Sequence, residues 1–432
     1  MKSLSQTGLN RVLLACFILI ASYFYWQGVD GVPFHPDEAT QLYMSADFQQ
    51  YITDPMSMAW QPEQKYNPVI HFRLLDAPLT RYAAGAVLYF TGQSPLPADW
   101  VWSQNWQMNV KRGALPDADM LHAGRLAVAW VFPFSLLLLY AIAAGVMDYR
   151  AAWISLLLFA GNALVLLHTR RVMTESFLTF FVLLNIFMLI YVKPPHLPWL
   201  GVAAALAVCS KQSAAALIPL NLLAIVWITQ KEYRSWKKTT LAVVLFLFLF
   251  ALIFMLLNPV FWAHPIPSLL ASGTERQQLL QSQIETIASQ DLDQILTSVP
   301  MRAGSLIAHA YFTPPMIAES RNYFAATLEA ESIYFDQPLH SLFRAMFSGT
   351  IYLIFTLVGL ATAVYQTATH QNPPDSRIPW LLLSAAFLAG GLLAVVPLTW
   401  QRYVMPLIAF PCIFAAWPFY RLLSTNQTIG QE

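Results

Sequence analysis

The chain has 432 residues, of which 57% are hydrophobic and only 11% charged, against about 25% charged in an ordinary soluble domain. That composition excludes a soluble globular protein and marks a polytopic membrane protein. The formal net charge of +1 offers no basic field for nucleic acid. The three cysteines, Cys16, Cys209 and Cys412, sit in apolar runs without metal-ligand spacing, so neither a disulfide framework nor a zinc site is expected.

Leu9 to Trp26 has Lys2 before it and Arg11 at its start but ends in the bulky SYFYWQG, with no small-x-small cleavage site, and reads as an uncleaved first span. The connection 29–121 begins with GVPFHPDEATQLYMSADF and continues through Pro- and aromatic-rich stretches (PMSMAWQPEQKYNP, ADWVWSQNW), the composition of a folded surface packed on the membrane. Within it PLTRYAAGAVLYFTG (78–92) is too short to span, and reads as an interfacial or re-entrant helix. Further spans are expected at 122–147, 151–169 and 174–192. Segment 197–230 reads as a hairpin broken at Ser210-Lys211-Gln212, because that returns Lys231, Arg234, Lys237 and Lys238 to the N-terminal side. Spans at 239–257, 348–366, 379–399 and 403–420 complete a bundle of about ten. In the second long connection, 258–347, Leu280, Ile284, Ile287 and Ile295 fall near one face of a coiled or interfacial helix whose other face is Gln, Glu and Asp. There is no internal repeat and no low-complexity tract.

Lys2, Arg11, Arg150, Lys193, the 231–238 cluster, Arg377 and Arg421 define the inner side. Both termini are then cytoplasmic and both long connections extracytoplasmic. Five polar places fall at the outer ends of helices, where ionisable groups are costly and mark function. They are His35 to Glu38, Arg170-Arg171 with Glu175, Lys211, Asn258 to His264, and Arg402-Tyr403. Each has a structural alternative: helix capping for Asp37 and Glu38, an i, i+4 ion pair for Arg171 and Glu175, snorkelling for Arg170, Lys211 and Arg402. His35 reads as a hydrogen-bonding neighbour rather than a metal ligand. Together, an external acid pair and several cations suit glycosyl transfer from a lipid phosphate. A carboxylate takes the proton of an attacking hydroxyl, and Arg or Lys stabilises the departing phosphate.

FHPDEATQ after the first span resembles the acidic first-loop motif of GT-C membrane glycosyltransferases, in the protein O-mannosyltransferase and lipid A aminoarabinose transferase branch. LDAPLTRYAAGAVLYFTG, HAGRLAVAWVFPFSLLLLYAIAAGV, HTRRVMTESFLTFF, LAVCSKQSAAALIP, NPVFWAHP and QRYVMPLIAFP follow in the family's order, covering roughly residues 10–420. APL stands where the family has Pro-Pro-Leu. The resemblance implies an all-α GT-C-type bundle with two long extracytoplasmic loops containing interfacial helices, forming one domain over 1–432.

The same resemblance implies Asp37 as general base, with Glu38 as acidic partner that positions it or binds a substrate hydroxyl. Arg81, Arg402 and Tyr403 become phosphate or donor contacts, while Arg170, Arg171, Glu175 and Lys211 line the cavity and His35, Asn258 and His264 support it. It further implies a single inverting displacement, a polyprenyl-phosphate sugar donor, contact with membrane lipids, and no obligatory metal, although distant GT-C enzymes use a divalent one. The acceptor is open. The one N-x-S/T sequon, Asn426-Gln427-Thr428, falls on the expected cytoplasmic tail, which favours a bacterial plasma membrane. A transporter or lipid flippase, or a non-catalytic scaffold, is the rival reading.

Overall fold

The computed structural model describes residues 6–63, 67–288, 294–319, 321–369 and 377–429. Among these there is no β-strand, only an isolated bridge between Ile295 and Leu398. The N-terminal apolar run is α1 (Gln6–Gln27). The first long connection folds into α2 (Pro36–Tyr43), α3 (Ala46–Thr53), α4 (Pro68–Leu75), α5 (Leu79–Thr91) and α6 (Trp106–Lys111). Then come α7 (Ala118–Ala129), α8 (Phe132–Val146), α9 (Tyr149–Ala160), α10 (Ala163–His168), α11 (Glu175–Tyr191), α12 (Leu200–Ser210), α13 (Leu217–Tyr233) and α14 (Trp236–Leu257). The second long connection holds α15 (Pro265–Ala288), α16 (Val299–Tyr311) and α17 (Arg321–Phe335). It leads into α18 (Met346–Ala368), α19 (Ile378–Val395), a 3₁₀ stretch Gln401–Leu407 and α20 (Ala409–Ile429).

Among the described residues, six helices are long and apolar enough to cross a membrane, and seven if the 3₁₀ stretch and α20, bent by 54°, count as one span. The ten crossings expected from sequence are not reached by that measure. Breaks at Gly161-Asn162 and around Lys211 cut apolar runs into pieces such as the 11-residue α12, which rises only about 16 Å. Leu19, Ile20 and Phe24 on α1, and Phe248 and Leu252 on α14, turn outward. Apolar surface of that size facing away from the protein is what a lipid environment requires.

The contacts sort the helix ends into two groups. Asn10 near the start of α1 binds Tyr140 of α8 and Trp153 of α9, and Arg377 before α19 lies over Tyr191 at the end of α11. At the other end Tyr25 of α1 meets Thr169 beyond α10. Cys209 late in α12 meets Asn258 just beyond α14, whereas Thr229 late in α13 meets Thr239 early in α14. Therefore α12 and α13 run in opposite directions with their tip at Lys211, as the hairpin reading required.

One large core fills the bundle, with Leu139, Phe159, Leu183, Leu200, Leu217 and Trp417 fully or almost fully buried. A second cluster seats the first connection on the bundle end: Ala39 and Leu42 of α2 and Ala84 and Leu88 of α5 pack with Trp100, Val128 and Val172. At 13 residues α5 is too short to span and instead packs on α3. Gly85 makes that approach possible, since a Cβ there would lie 2.2 Å from Ser45 O and 2.6 Å from Phe48 Cβ. Gly85→Ala is expected to destabilise the protein by about 1–3 kcal/mol through overpacking, read as a lower thermal midpoint in detergent.

The amphipathic segment of the second connection is only partly one helix. Leu280, Ile284 and Ile287 lie on α15, but Ile295 lies beyond its end and pairs with Leu398 instead; residues 289–293 are outside the described residues.

Candidate functional site

The PDE turn begins with proline. Pro36 occupies the first turn of α2, where its missing N–H costs nothing, and His35 is the N-cap. His35 Nδ1 accepts the Asp37 N–H (3.1 Å) and Glu38 Oε2 accepts the His35 N–H (3.0 Å), a reciprocal capping box. This fixes the His35 tautomer. A ring nitrogen that accepts leaves the proton on Nε2 of the neutral imidazole, which points at Glu319 Oε2, 3.4 Å away.

The two adjacent acids meet opposite environments, because neighbouring helical positions point about 100° apart. Glu38 is fully buried, and each of its oxygens takes two donors. Oε1 accepts Arg125 Nε (2.9 Å) and Val172 N (3.0 Å), and Oε2 accepts Arg125 Nη2 (2.8 Å) and His35 N. Burial alone would raise this carboxyl, but Arg125, and at longer range Arg171, hold it below the ordinary carboxylate range. Arg125 also donates through Nη1 to Val29 O (2.8 Å) and Val32 O (2.7 Å). Glu38 is thus fully engaged inside the fold.

Asp37 remains 31% exposed and pairs with Arg402 Nη1. Arg402 turns its Nε to Glu319 (3.1 Å) and stacks its guanidinium 4.7 Å from the Trp400 ring. Glu319 is 2% exposed. Burial opposes its ionisation, but Arg402 and His35 hold its carboxyl well below the ordinary range. Alongside, Lys211 Nζ at the hairpin tip donates to the buried Glu175 Oε1 (2.5 Å) and lies 5.7 Å from the Tyr403 ring. Four of the five anomalous places therefore supply charged partners here, the second of them through Glu175 alone, with Asp37 and Lys211, 19% exposed, at their surface.

The other expected site residues are engaged elsewhere. Arg171 and Glu175 do not form the i, i+4 pair: Arg171 donates to Pro33 O (3.2 Å) and Ile317 O (3.0 Å), stapling the two long connections together. Arg170 turns back onto α1, donating to Tyr25 O (3.0 Å) and lying 5.0 Å from the Tyr25 ring. Its Nη1 meets Nε2 of His340. Arg81 pairs through Nε with the buried Asp47 (3.0 Å), a carboxylate it shares with Arg73, and donates to Asp76 O (3.1 Å). Asn258 holds Cys209 and Phe254 O, and His264 meets Gln61 at an exposed position. Neither contributes a contact to the acid–cation cluster.

Three residues were missed. Arg125 stands in a quoted motif without a role, although an arginine inside an apolar span is itself a signal. Glu319 is a lone acid in a long connection, and nothing in its local pattern singles it out. Asp99 accepts from Thr40 Oγ1 (2.7 Å), one helical turn after Asp37. Burial pushes its carboxyl up to about 6, offset in part by the Thr40 hydrogen bond and reinforced by the charges of Asp37 and Asp76. With its folded pKa raised, Asp99 supports folding fully below the ordinary carboxylate range and loses that support as pH rises through about 6. The thermal midpoint of wild type relative to Asp99→Asn is expected to fall across that window and level off above it. Among the described residues, no three His, Cys, Asp or Glu side chains gather as a group able to hold a metal ion.

Residues 99–266 match the family model of dolichyl-phosphate-mannose-protein mannosyltransferase, the branch to which the sequence motifs pointed. That span holds Asp99, Arg125, Glu175 and Lys211, while Asp37, Glu319 and Arg402 lie outside it. No curated protein matches the chain. Among solved structures it is similar to the oligosaccharyltransferase of Archaeoglobus fulgidus in complex with Zn and sulfate, at 13% identity and a TM-score of 0.49 over 95% of this chain and 49% of that one. It is also similar to archaeal oligosaccharyltransferase AglB from Archaeoglobus fulgidus in complex with an inhibitory peptide and a dolichol-phosphate. There the identity is 12% and the TM-score 0.47, over 96% of this chain and 52% of that one. The chain spans about half the length of these structures.

Proposed function

We propose that the protein is a membrane glycosyltransferase that moves a sugar from a polyprenyl-phosphate carrier to an acceptor hydroxyl on the extracytoplasmic side. The observation that carries this reading is the division of labour among the acids. Glu38, Glu175 and Glu319 are buried and committed to partners, while Asp37 alone of the four reaches solvent, beside the buried Arg402 and with Lys211 partly accessible. A base must touch its substrate, and a departing phosphate needs a cation beside that base. The match to a mannosyltransferase family model supports the same chemistry.

In the proposed step the acceptor O–H proton passes to Asp37 as its oxygen attacks the anomeric carbon. The bond from that carbon to phosphate oxygen breaks on the opposite face, and the electron pair leaves with the polyprenyl phosphate beside Arg402 and Lys211. One displacement inverts the anomeric centre. Arg150, Lys193, Arg234 and Arg377 all flank connections at the bundle end opposite this site. By the charge rule that end is cytoplasmic and the site extracytoplasmic, with a bacterial plasma membrane as the expected location.

Mass spectrometry of envelope lipids and glycans from cells with and without the protein tests the reading. A lost sugar-sized mass on one glycoconjugate, with accumulation of the carrier-linked sugar, is expected. An unchanged profile in the deletion rejects it.

A further inference from the structure

We propose that Glu319 is a positioning residue that pins Arg402 by one edge, so that the other edge passes from Asp37 to the donor phosphate when the donor binds. This rests on the glycosyl-transfer reading and specifies how the site enforces order within it.

Glu319 lies on the stretch between α16 and α17, and its place is fixed from several sides. The Gln401 side chain accepts the Met316 N–H (2.6 Å) and donates to Pro314 O (3.0 Å). Arg171 donates to Ile317 O, and the Glu319 N–H donates to the Tyr323 hydroxyl (2.9 Å). The carboxylate itself receives Arg402 Nε and faces the Nε2–H of His35. Gln401 and Arg402 are adjacent, so one dipeptide both clamps this stretch and reads its acid. His35 is the N-cap of the capping box that aims Asp37, so Glu319 also registers where α2 begins.

A guanidinium presents separate edges to separate acceptors. With Nε paired to a buried carboxylate and the guanidinium carbon 4.7 Å from the centre of the Trp400 ring, Arg402 is held on one edge, and a rotation that keeps the Nε pair moves Nη1 away from Asp37. Its Nη1 pairs with Asp37, and a donor phosphate competes for that contact. The consequence is an order of events. Until the phosphate takes that edge, Arg402 occupies the Asp37 carboxylate, and once it does the carboxylate is released beside the acceptor hydroxyl. The acid that binds Nε does not compete in this exchange, because it holds a different edge.

Binding and kinetics on the full-length protein in nanodiscs test this, with undecaprenyl phosphate as the probe. Removing the competing charge by Asp37→Asn is expected to tighten undecaprenyl phosphate binding about tenfold, since the binding-competent Arg402 no longer has to be released first. Glu319→Gln is expected to lower kcat at least about tenfold while the donor KM stays within about threefold, and Glu319→Asp to recover part of kcat. A merely structural acid would instead lose kcat, KM and thermal midpoint together. If Asp37→Asn leaves undecaprenyl phosphate affinity unchanged or weaker while wild type binds it, the exchange is rejected even where Glu319→Gln does not fold. If wild-type protein does not bind undecaprenyl phosphate, the glycosyl-transfer reading fails, and this inference with it.

Discussion

Asp37→Asn is expected to lower the transfer rate by about 10³-fold, within the range that a positioned general base supplies, while leaving the amount of folded protein in the membrane unchanged. The substitution keeps the shape of the side chain and its place on α2. The capping box also survives, because it uses the backbone N–H of Asp37 and the side chains of His35 and Glu38. Asp37 is the partly exposed member of the cluster, so its carboxylate supports little of the fold. Single-turnover transfer from a reconstituted polyprenyl-phosphate sugar, normalised to protein level, measures the effect. A rate within about threefold of wild type would remove Asp37 as base. If the deletion strain then still lost its glycoconjugate, a transport role for these charged groups would become the better account.

The outline of the fold was legible because its determinants are local. Apolar runs of span length, the break at Ser210-Lys211-Gln212 and the basic connections each declare themselves within a few residues, and the hairpin tip at Lys211 followed from charge placement alone. The count of crossings was less legible, since α9 with α10 and α12 are apolar but interrupted, and composition does not reveal where a helix stops inside a bundle.

At the site, sequence identified the acid pair, Lys211 and Arg402 as anomalous but could not pair them. Arg402 lies 365 positions from Asp37 and Glu319 lies 284 positions (319 less 35) from His35, and no periodicity reports contacts of that range. Arg171 with Glu175 shows the opposite error. Their spacing fits a helical ion pair, yet α11 begins at Glu175, so Arg171 lies before the helix and is free to reach Pro33 and Ile317.

Breaking the Glu38–Arg125 pair is the second large expected effect, and it falls on the fold rather than on the chemistry. Glu38→Ala leaves Arg125 buried at 1% exposure without its carboxylate, and leaves the His35 and Val172 N–H groups without their acceptor. Losing one member of such a pair costs about 3–5 kcal/mol because the other remains buried and charged. That is comparable to the whole stability of a modest domain. The damage should spread along the contacts Glu38 joins: the start of α2 and the turn after Arg171 through its own bonds, and α7 with the Val29–Val32 turn through Arg125.

Glu38→Ala and Arg125→Leu are therefore each expected to lower the level of folded protein in the membrane sharply. The pair Glu38→Ala with Arg125→Leu should recover part of it, since no lone charge is left behind, although the backbone donors and acceptors stay unpaired. Thermal midpoints of the four proteins in detergent measure the coupling. Additive losses would show that the two side chains act independently and that the bidentate contact is not what seats α2. A strong coupling, set beside an Asp37→Asn protein of wild-type stability and no activity, would assign adjacent carboxylates to different tasks: Glu38 to hold the turn and Asp37 to act from it.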